Sequence, residues 1–167
     1  TGQLKTFSRK SQGRLEDVDM ATALKNALAL LEPQIRMEHC NLETHMNGRA
    51  LTVRGDMVRI EQVFINIIRN AMDAMKGQPA KQLDITLEPR GDDAVVVLAD
   101  SGTGLSPEVE AQLFDPFFTT KDQGEGVGLG LSVSYGIIRD LEGTIRGRNR
   151  KDGGAIFEIR LPLLNSP

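Results

Sequence analysis

The chain is poor in several things, and each shortage excludes something. It has a single cysteine, Cys40, so no internal disulfide can form, which fits a reducing compartment. Tryptophan is absent, and one tyrosine and six phenylalanines are the only aromatics among 167 residues. The core must therefore be mainly aliphatic. No wholly apolar run exceeds AVVVLA at residues 94–99, far short of the roughly 20 residues that a membrane-spanning helix needs. No signal-peptide pattern opens the chain. His39 and His45 lack a companion His, Cys or carboxylate at ligand spacing and read as ordinary histidines. A net charge of only -3 gives no electrostatic reason to expect nucleic acid or an anionic membrane.

What is present suits one ordinary domain. A chain of this length buries roughly 70% of its unfolded surface. It begins with Thr1 rather than Met, as expected of a piece excised from a longer protein. Residues 1–17 read as the end of a preceding helix, with Leu4 and Phe7 on one face, followed by a polar linker. A frayed terminus is the alternative.

Asp19 is placed to cap a helix from Met20 to about Glu38, with Ala23, Leu24, Ala27, Leu31 and Ile35 on one face. Pro33 predicts a kink or break within it. Two short β-like runs, residues 41–46 and 51–53, flank an Asn47-Gly48 turn. Asp56 caps a second helix that Gly77 ends. Most of its circumference is apolar, yet Gln62, Asn66, Asn70 and Asp73 fall on one stripe. Short amide and carboxylate groups are indifferent helix formers, so the stripe is either a wet surface or a face turned toward something polar.

Two hairpins follow the same logic. Leu83, Ile85 and Leu87 alternate with polar residues, and after the turn at PRGDD comes AVVVLA, continuous enough for a central strand buried on both faces. This hairpin delivers Asp100 to the end of an interior strand, where a carboxylate needs a partner or a cleft. Ser106-Pro107-Glu108 starts a short helix. Residues 115–122 have no period, and four of the seven residues 124–130 are glycine, which reads as a mobile loop. Helical pattern resumes near Leu129 and runs to Leu141. Residues 143–149 and 155–161 form the closing hairpin around Lys151 to Gly154. The sum is a two-layer α/β sandwich, a mixed sheet with helices on one face.

Glycine-rich loops bind phosphate because backbone N–H groups reach the oxygens where no Cβ intervenes. The helix after Gly130 adds its positive dipole end. Neither common fingerprint is met: no Gly-Lys-Ser/Thr tripeptide is present, and Leu131 stands where a third dinucleotide-motif glycine belongs. Asp100 is chemically suited to accept a hydrogen bond from adenine's exocyclic amine, where guanine would present a carbonyl. Gly102 and Gly104 let a base lie against the backbone. Asn70 offers a hard oxygen ligand of the kind Mg2+ prefers. Lys121 is the only cation between residues 115 and 130.

Five boxes then occur in one order: Asn66-x-x-x-Asn70-Ala71, Asp100-Ser101-Gly102-Thr103-Gly104, Leu113-Phe114-Asp115-Pro116-Phe117-Phe118, Gly124 to Leu131, and Gly153-Gly154-Ala155-Ile156-Phe157. Together they resemble the N, first-glycine, F, second-glycine and third-glycine boxes of sensor histidine kinases. The PFFTTK form resembles most the nitrogen-regulation and C4-dicarboxylate-sensor branch. The resemblance implies a Bergerat (GHKL) fold over residues 18–167, and residues 1–17 as the end of a dimerisation and phosphoacceptor helix with its linker.

The implied activity is transfer of the ATP γ-phosphate to a histidine on another domain. Fold relatives that hydrolyse ATP as clamps, and modules that bind nucleotide without turnover, are the alternatives. The implied cofactors are ATP and Mg2+. The implied nucleotide site is Asn66, Asn70, Asp73, Asp100, Gly102, Gly104, Leu105, Thr119, Thr120, Lys121, Gly126, Val127, Gly128, Leu129, Gly130 and Leu131. Asn70 is the implied metal ligand, and Asn66, Asn70 and Lys121 the catalytic set. Ala155 stands where the family often has Thr and is left out. Implied partners are a histidine-bearing dimerisation domain and a response regulator, with no nucleic acid. The parent would be a cytoplasmic homodimer, its membrane anchoring left open. Neither histidine here sits in the family's phosphoacceptor pattern.

Overall fold

A computed structural model describes residues 15–46, 48–112 and 126–164. In chain order the elements are β1 (Glu16–Asp19), α1 (Met20–Met37), β2 (Asn41–Met46), β3 (Thr52–Gly55), α2 (Met57–Ala74), β4 (Gln82–Arg90), β5 (Asp93–Asp100), α3 (Pro107–Gln112), α4 (Gly126–Asp140), β6 (Thr144–Asn149) and β7 (Ala155–Pro162). Five strands form one sheet in the order β2-β4-β5-β7-β6, with β1 and β3 paired apart from it. Among the described residues only the β2–β4 pair of this sheet is parallel. AVVVLA is thus the middle strand, as its composition predicts. No helix among the described residues is long and apolar enough to cross a membrane.

Strand alternation decides what each face meets. Leu83, Ile85 and Leu87 of β4, Ala94, Val96 and Leu98 of β5, and Phe157, Ile159 and Leu161 of β7 are buried in one cluster with the helices. Ala23, Leu24, Ala27 and Leu31 of α1, Phe64, Ile67 and Ile68 of α2, and Ile137 and Ile138 of α4 complete it. The opposite face carries charged pairs around the central strand's Val95, which is buried there as well. Arg90 pairs with Glu88 at 2.6 Å and Glu158 at 3.5 Å, while Arg160 pairs with Glu158 at 2.8 Å and Asp93 at 3.5 Å. The hydrogen bond from the Arg160 guanidinium holds the Glu158 carboxyl below its ordinary range. Such exposed pairs each contribute little, but they keep β4, β5 and β7 soluble on the side without helices.

Four expectations need correction. Pro33 does not break α1, which runs unbroken from Met20 to Met37. Pro33 and Ala29, whose carbonyl loses its donor, are both exposed, so water can serve that carbonyl. The runs 41–46 and 52–55 do not pair with each other, whatever the turn chemistry between them. The first joins β4 and the second joins β1, a non-local choice made by burial of Val18, Leu51 and Val53. Glu16 and Asp17, read as linker, already pair in β1. Finally, α4 starts at Gly126, about a turn before the loop is expected to end. The cost of glycine in a helix is only about 1 kcal/mol per residue, which packing of the following turns offsets. The remaining part of that loop, like the F box from Leu113 onward, lies outside the described residues.

The caps agree with expectation. Asp19 Oδ1 accepts from the Ala21 N–H at 3.1 Å. Asp56 Oδ1 accepts from the N–H groups of Val58 and Arg59 at 3.1 and 3.3 Å. Ser106 Oγ accepts from the Val109 N–H at 3.2 Å.

Because Pro33 sits inside a continuous helix, Pro33→Ala is expected to raise stability by about 1–3 kcal/mol. Urea unfolding of both proteins checks this. A variant no more stable than the parent would show that the helix accommodates the proline without strain.

Candidate functional site

The site is built around the end of β5. Alternation places Asp100 on the helix-facing side with Ala94, Val96 and Leu98, and it is only 3% exposed. Its Oδ1 accepts from the N–H groups of Gly102 at 2.8 Å and Ala155 at 3.3 Å. Arg150 Nη1 donates to the Asp100 carbonyl at 3.0 Å. Burial pushes the Asp100 carboxyl above its ordinary range, and the two N–H bonds and Arg150 offset only part of that. Among the described residues no hydrogen bond to Oδ2 is formed. One carboxylate oxygen is therefore fixed by backbone, and the other retains its capacity to accept a hydrogen bond.

The loop after Asp100 is pressed between two elements, which explains its glycines. A Cβ on Gly102 would come within 2.6 Å of the Ala74 carbonyl oxygen, and the Thr103 N–H donates to that same oxygen at 3.1 Å. The loop is thereby docked on the last turn of α2. From the other side comes the β6–β7 turn. Gly154 has φ +97°, and a Cβ there would overlap the Asp100 carbonyl. Gly104 has φ +86°, a left-handed conformation that glycine adopts freely.

The polar stripe of α2 ends at this loop. Asn66, Asn70 and Ala74 share one helix face, because steps of four return to the same side. Asn66 and Asn70 are half-buried, whereas Gln62 and Asp73 are exposed. Asn66 Nδ2 donates to Oγ of the fully buried Ser134 at 3.3 Å, tying α2 to α4. Asn70 Nδ2 is buried with no partner among the described residues. An unpaired amide at a half-buried position is costly, and it fits a side chain whose partner is a bound group. Its carbonyl oxygen is of the hard type that Mg2+ takes, so the donor chemistry at this position fits that ion.

The glycine-rich residues Gly126, Val127, Gly128, Leu129 and Gly130 form the opening of α4, followed by the buried Leu131. The first N–H groups of a helix lack intrahelical partners and carry the positive dipole end. The structure thus ties the Asp100 loop, with Gly102, Gly104 and Leu105, to the last turn of α2, and through Asn66 and Ser134 it ties α2 to the helix that opens with the second glycine box. Thr119, Thr120 and Lys121 lie outside the described residues.

Sequence reasoning misses three contributors. Ala155 is set aside for lacking a hydroxyl, yet it acts through its backbone N–H. Arg150 and Asn149 reach the loop from β6 and its turn, and no local signal marks them. His45 also has company that chain spacing hides. Its Nε2 lies 3.8 Å from Glu43 Oε1, and the donor atoms of these two and Asp84 lie within 4.8 Å of one another. Glu43 and His45 are exposed on the edge strand β2 and Asp84 is half-buried on β4, on the sheet face opposite the one that carries Asp100.

The raised Asp100 pKa has a sign. Between the ordinary carboxylate range and the raised value, the folded state holds a proton that the unfolded state has lost. Stability therefore falls as pH rises through that window. Asp100→Asn should remove this component, so its stability relative to the parent should improve as pH rises across the window. Urea midpoints measured over that window check it. Parallel pH profiles would mean that Asp100 titrates normally.

Comparison with known proteins gives one answer. The histidine kinase-, DNA gyrase B-, and HSP90-like ATPase family matches residues 55–165. The two-component sensor PprA of Pseudomonas aeruginosa is 36% identical over 96% of this chain, which spans 18% of that protein. The C4-dicarboxylate transport sensor protein DctS of Rhodobacter capsulatus is 34% identical over 96% of this chain, which spans 24% of it. The chain thus covers less than a quarter of the length of either relative. Among solved structures, the catalytic domain of the histidine kinase ThkA superposes with a TM-score of 0.75 at 31% identity, covering 89% of this chain and 95% of that one. ThkA in complex with the response regulator protein TrrA superposes with a TM-score of 0.72 at 28% identity, covering 96% and 46%. On the family match over residues 55–165 and the 31% identity to a solved histidine kinase catalytic domain of which it covers 95%, the chain belongs to the histidine kinase-, DNA gyrase B- and HSP90-like ATPase family, as the catalytic domain of a sensor histidine kinase.

Proposed function

We propose that this chain binds ATP with Mg2+ and passes the γ-phosphoryl group to a histidine on a separate dimerisation domain, which in turn supplies a response regulator. The observation that carries the nucleotide assignment is the Asp100 carboxylate, nearly buried and held at one oxygen by Gly102 and Ala155. The other oxygen accepts the adenine amine. Asn70 holds Mg2+, which neutralises phosphate charge when bound. Asn66 and the opening of α4, Gly126 to Gly130, serve the phosphate side, with Thr119, Thr120 and Lys121 contributed by the segment before it.

Residue 66 favours phosphotransfer over hydrolysis. Attack by water needs a base near the γ-phosphate, and an amide cannot take a proton at neutral pH. Asn66 is moreover engaged with Ser134. A histidine nitrogen needs no such activation. It bonds to phosphorus as the bond to the bridging oxygen breaks, and ADP leaves with the electron pair. Positioning and charge neutralisation then suffice.

Two outcomes are expected. Calorimetry should show ATP and ADP binding far more tightly than GTP, and Asp100→Asn should lose about 1–3 kcal/mol, roughly 10- to 100-fold. In the variant an amide N–H2 would face the adenine amine, donor against donor. Equal ATP and GTP affinities for the parent would sink the adenine assignment. Separately, residues 1–167 alone should release phosphate slowly or not at all. With a histidine-bearing helical domain added, they should yield an acid-labile, base-stable phospho-label that Asn70→Ala abolishes. Brisk ATP hydrolysis lost on mutating Asn66 would favour the clamp-type hydrolase instead, and tight binding without any label would favour a module without turnover.

A further inference from the structure

The residue that shapes the purine side of the site from outside it is Asn149, the last residue of β6. Its side-chain amide does for Leu105 what a neighbouring strand would do. Oδ1 accepts from the Leu105 N–H at 2.6 Å, and Nδ2 donates to the Leu105 carbonyl at 3.1 Å. The same Nδ2 lies 3.4 Å from Glu110 Oε1, and the Asn149 backbone N–H donates to Glu110 Oε2 at 3.2 Å. One side chain thus clamps the loop that follows Gly104 and also engages α3.

The clamp explains the residue before it. A Cβ on Gly104 would stand 2.7 Å from Asn149 Oδ1, so Gly104 is bare where the amide crosses the chain. Both hydrogen-bonding groups of the Leu105 backbone are taken up by one side chain. Asn149 itself is exposed, and hydrogen bonds open to water add little to the stability of a fold. What the amide fixes is where the backbone of residues 104 and 105 lies relative to Asp100, four residues before Gly104 along the loop.

We infer that Asn149 is a positioning residue for nucleotide recognition: it holds the Gly104–Leu105 backbone in place beside Asp100, and through that backbone it sets how well the site separates adenine from guanine. This rests on the nucleotide reading above. Asn149 acts without touching the base or the phosphates. Its effect is transmitted through Leu105, with Glu110 holding the amide in the orientation that presents Oδ1 to the Leu105 N–H.

The test is calorimetry of ADP and GDP binding to the parent, to Asn149→Ala and Asn149→Asp, and to Asn149→Asp combined with Glu110→Gln, with thermal melting of each. The parent's preference for ADP comes first, because a parent that binds neither nucleotide refutes the nucleotide reading rather than the clamp. Asn149→Ala is expected to weaken ADP about 10-fold, the worth of one positioned hydrogen bond, and to narrow the ratio of ADP to GDP affinity, with melting little changed. Asn149→Asp keeps the acceptor for the Leu105 N–H but sets a carboxylate against Glu110, so it too should weaken ADP. The double variant restores an amide–carboxylate pair with the roles exchanged and should recover part of the affinity and of the ratio. ADP affinity in Asn149→Ala within twofold of the parent would overturn the inference. So would an unchanged ratio of ADP to GDP affinity accompanied by a large drop in melting temperature, since a merely structural role predicts that pattern.

Discussion

The molecule turns on one carboxylate placed where a fold would rather have a hydrocarbon. Asp100 occupies the helix-facing row of the central strand, in line with Ala94, Val96 and Leu98, and is 3% exposed. Burying a carboxylate costs several kcal/mol unless it is paired or hydrogen-bonded. Here the compensation comes from backbone: Gly102 and Ala155 donate to one oxygen, and Arg150 braces the carbonyl behind it. The compensation is incomplete, as the raised pKa shows. A buried acid with its pKa pushed up by burial and one oxygen held by backbone N–H groups is a functional-site candidate. Gly102 and Gly154 follow from this arrangement. Each is bare because another backbone, that of Ala74 or of Asp100 itself, must come close enough to hold the carboxylate in place.

That geometry divides the labour between the layers. The sheet supplies a rigid floor whose central strand ends in the carboxylate. α2 supplies the amides Asn66 and Asn70 on the one stripe that its apolar circumference leaves free, and α4 is tied to that stripe through Ser134. On the proposed reading, the purine side and the phosphate side meet at the last turns of α2. A bond between Asn66 and Ser134 is also a reason to expect position 66 to report on α4.

Much of this is legible in the sequence, for identifiable reasons. Caps at Asp19, Asp56 and Ser106, the alternation in β4 and β7, and the uninterrupted β5 are local signals, and each names its element. The five boxes fix the family because their order and spacing are specific. What the sequence hides is non-local. Nothing near Asn47-Gly48 says that β2 pairs with β4 and β3 with β1. Nothing near Pro33 says that the helix turns its exposed side to water there. Glycines at 126, 128 and 130 argue against helix by propensity, and tertiary packing overrides them. Ala155 is discounted because its side chain offers no hydroxyl, although the structure uses only its N–H. Asn149 and Arg150 are ordinary polar residues until the hairpin folds over the loop. Their importance lies in where the chain carries them.

One oxygen of Asp100 is held by Gly102 and Ala155, and the role proposed for the other is to read a purine amine. Amide exchange followed by nuclear magnetic resonance at those two N–H groups tests it most directly, with ADP and GDP added in turn at equal concentration. Saturation with ADP should shift both resonances and slow their exchange, because a ligand on Oδ2 locks the carboxylate that they share, while GDP should leave both as they are in the free protein. ADP bound at saturation with Gly102 and Ala155 unaffected, or equal changes with the two nucleotides, would contradict it.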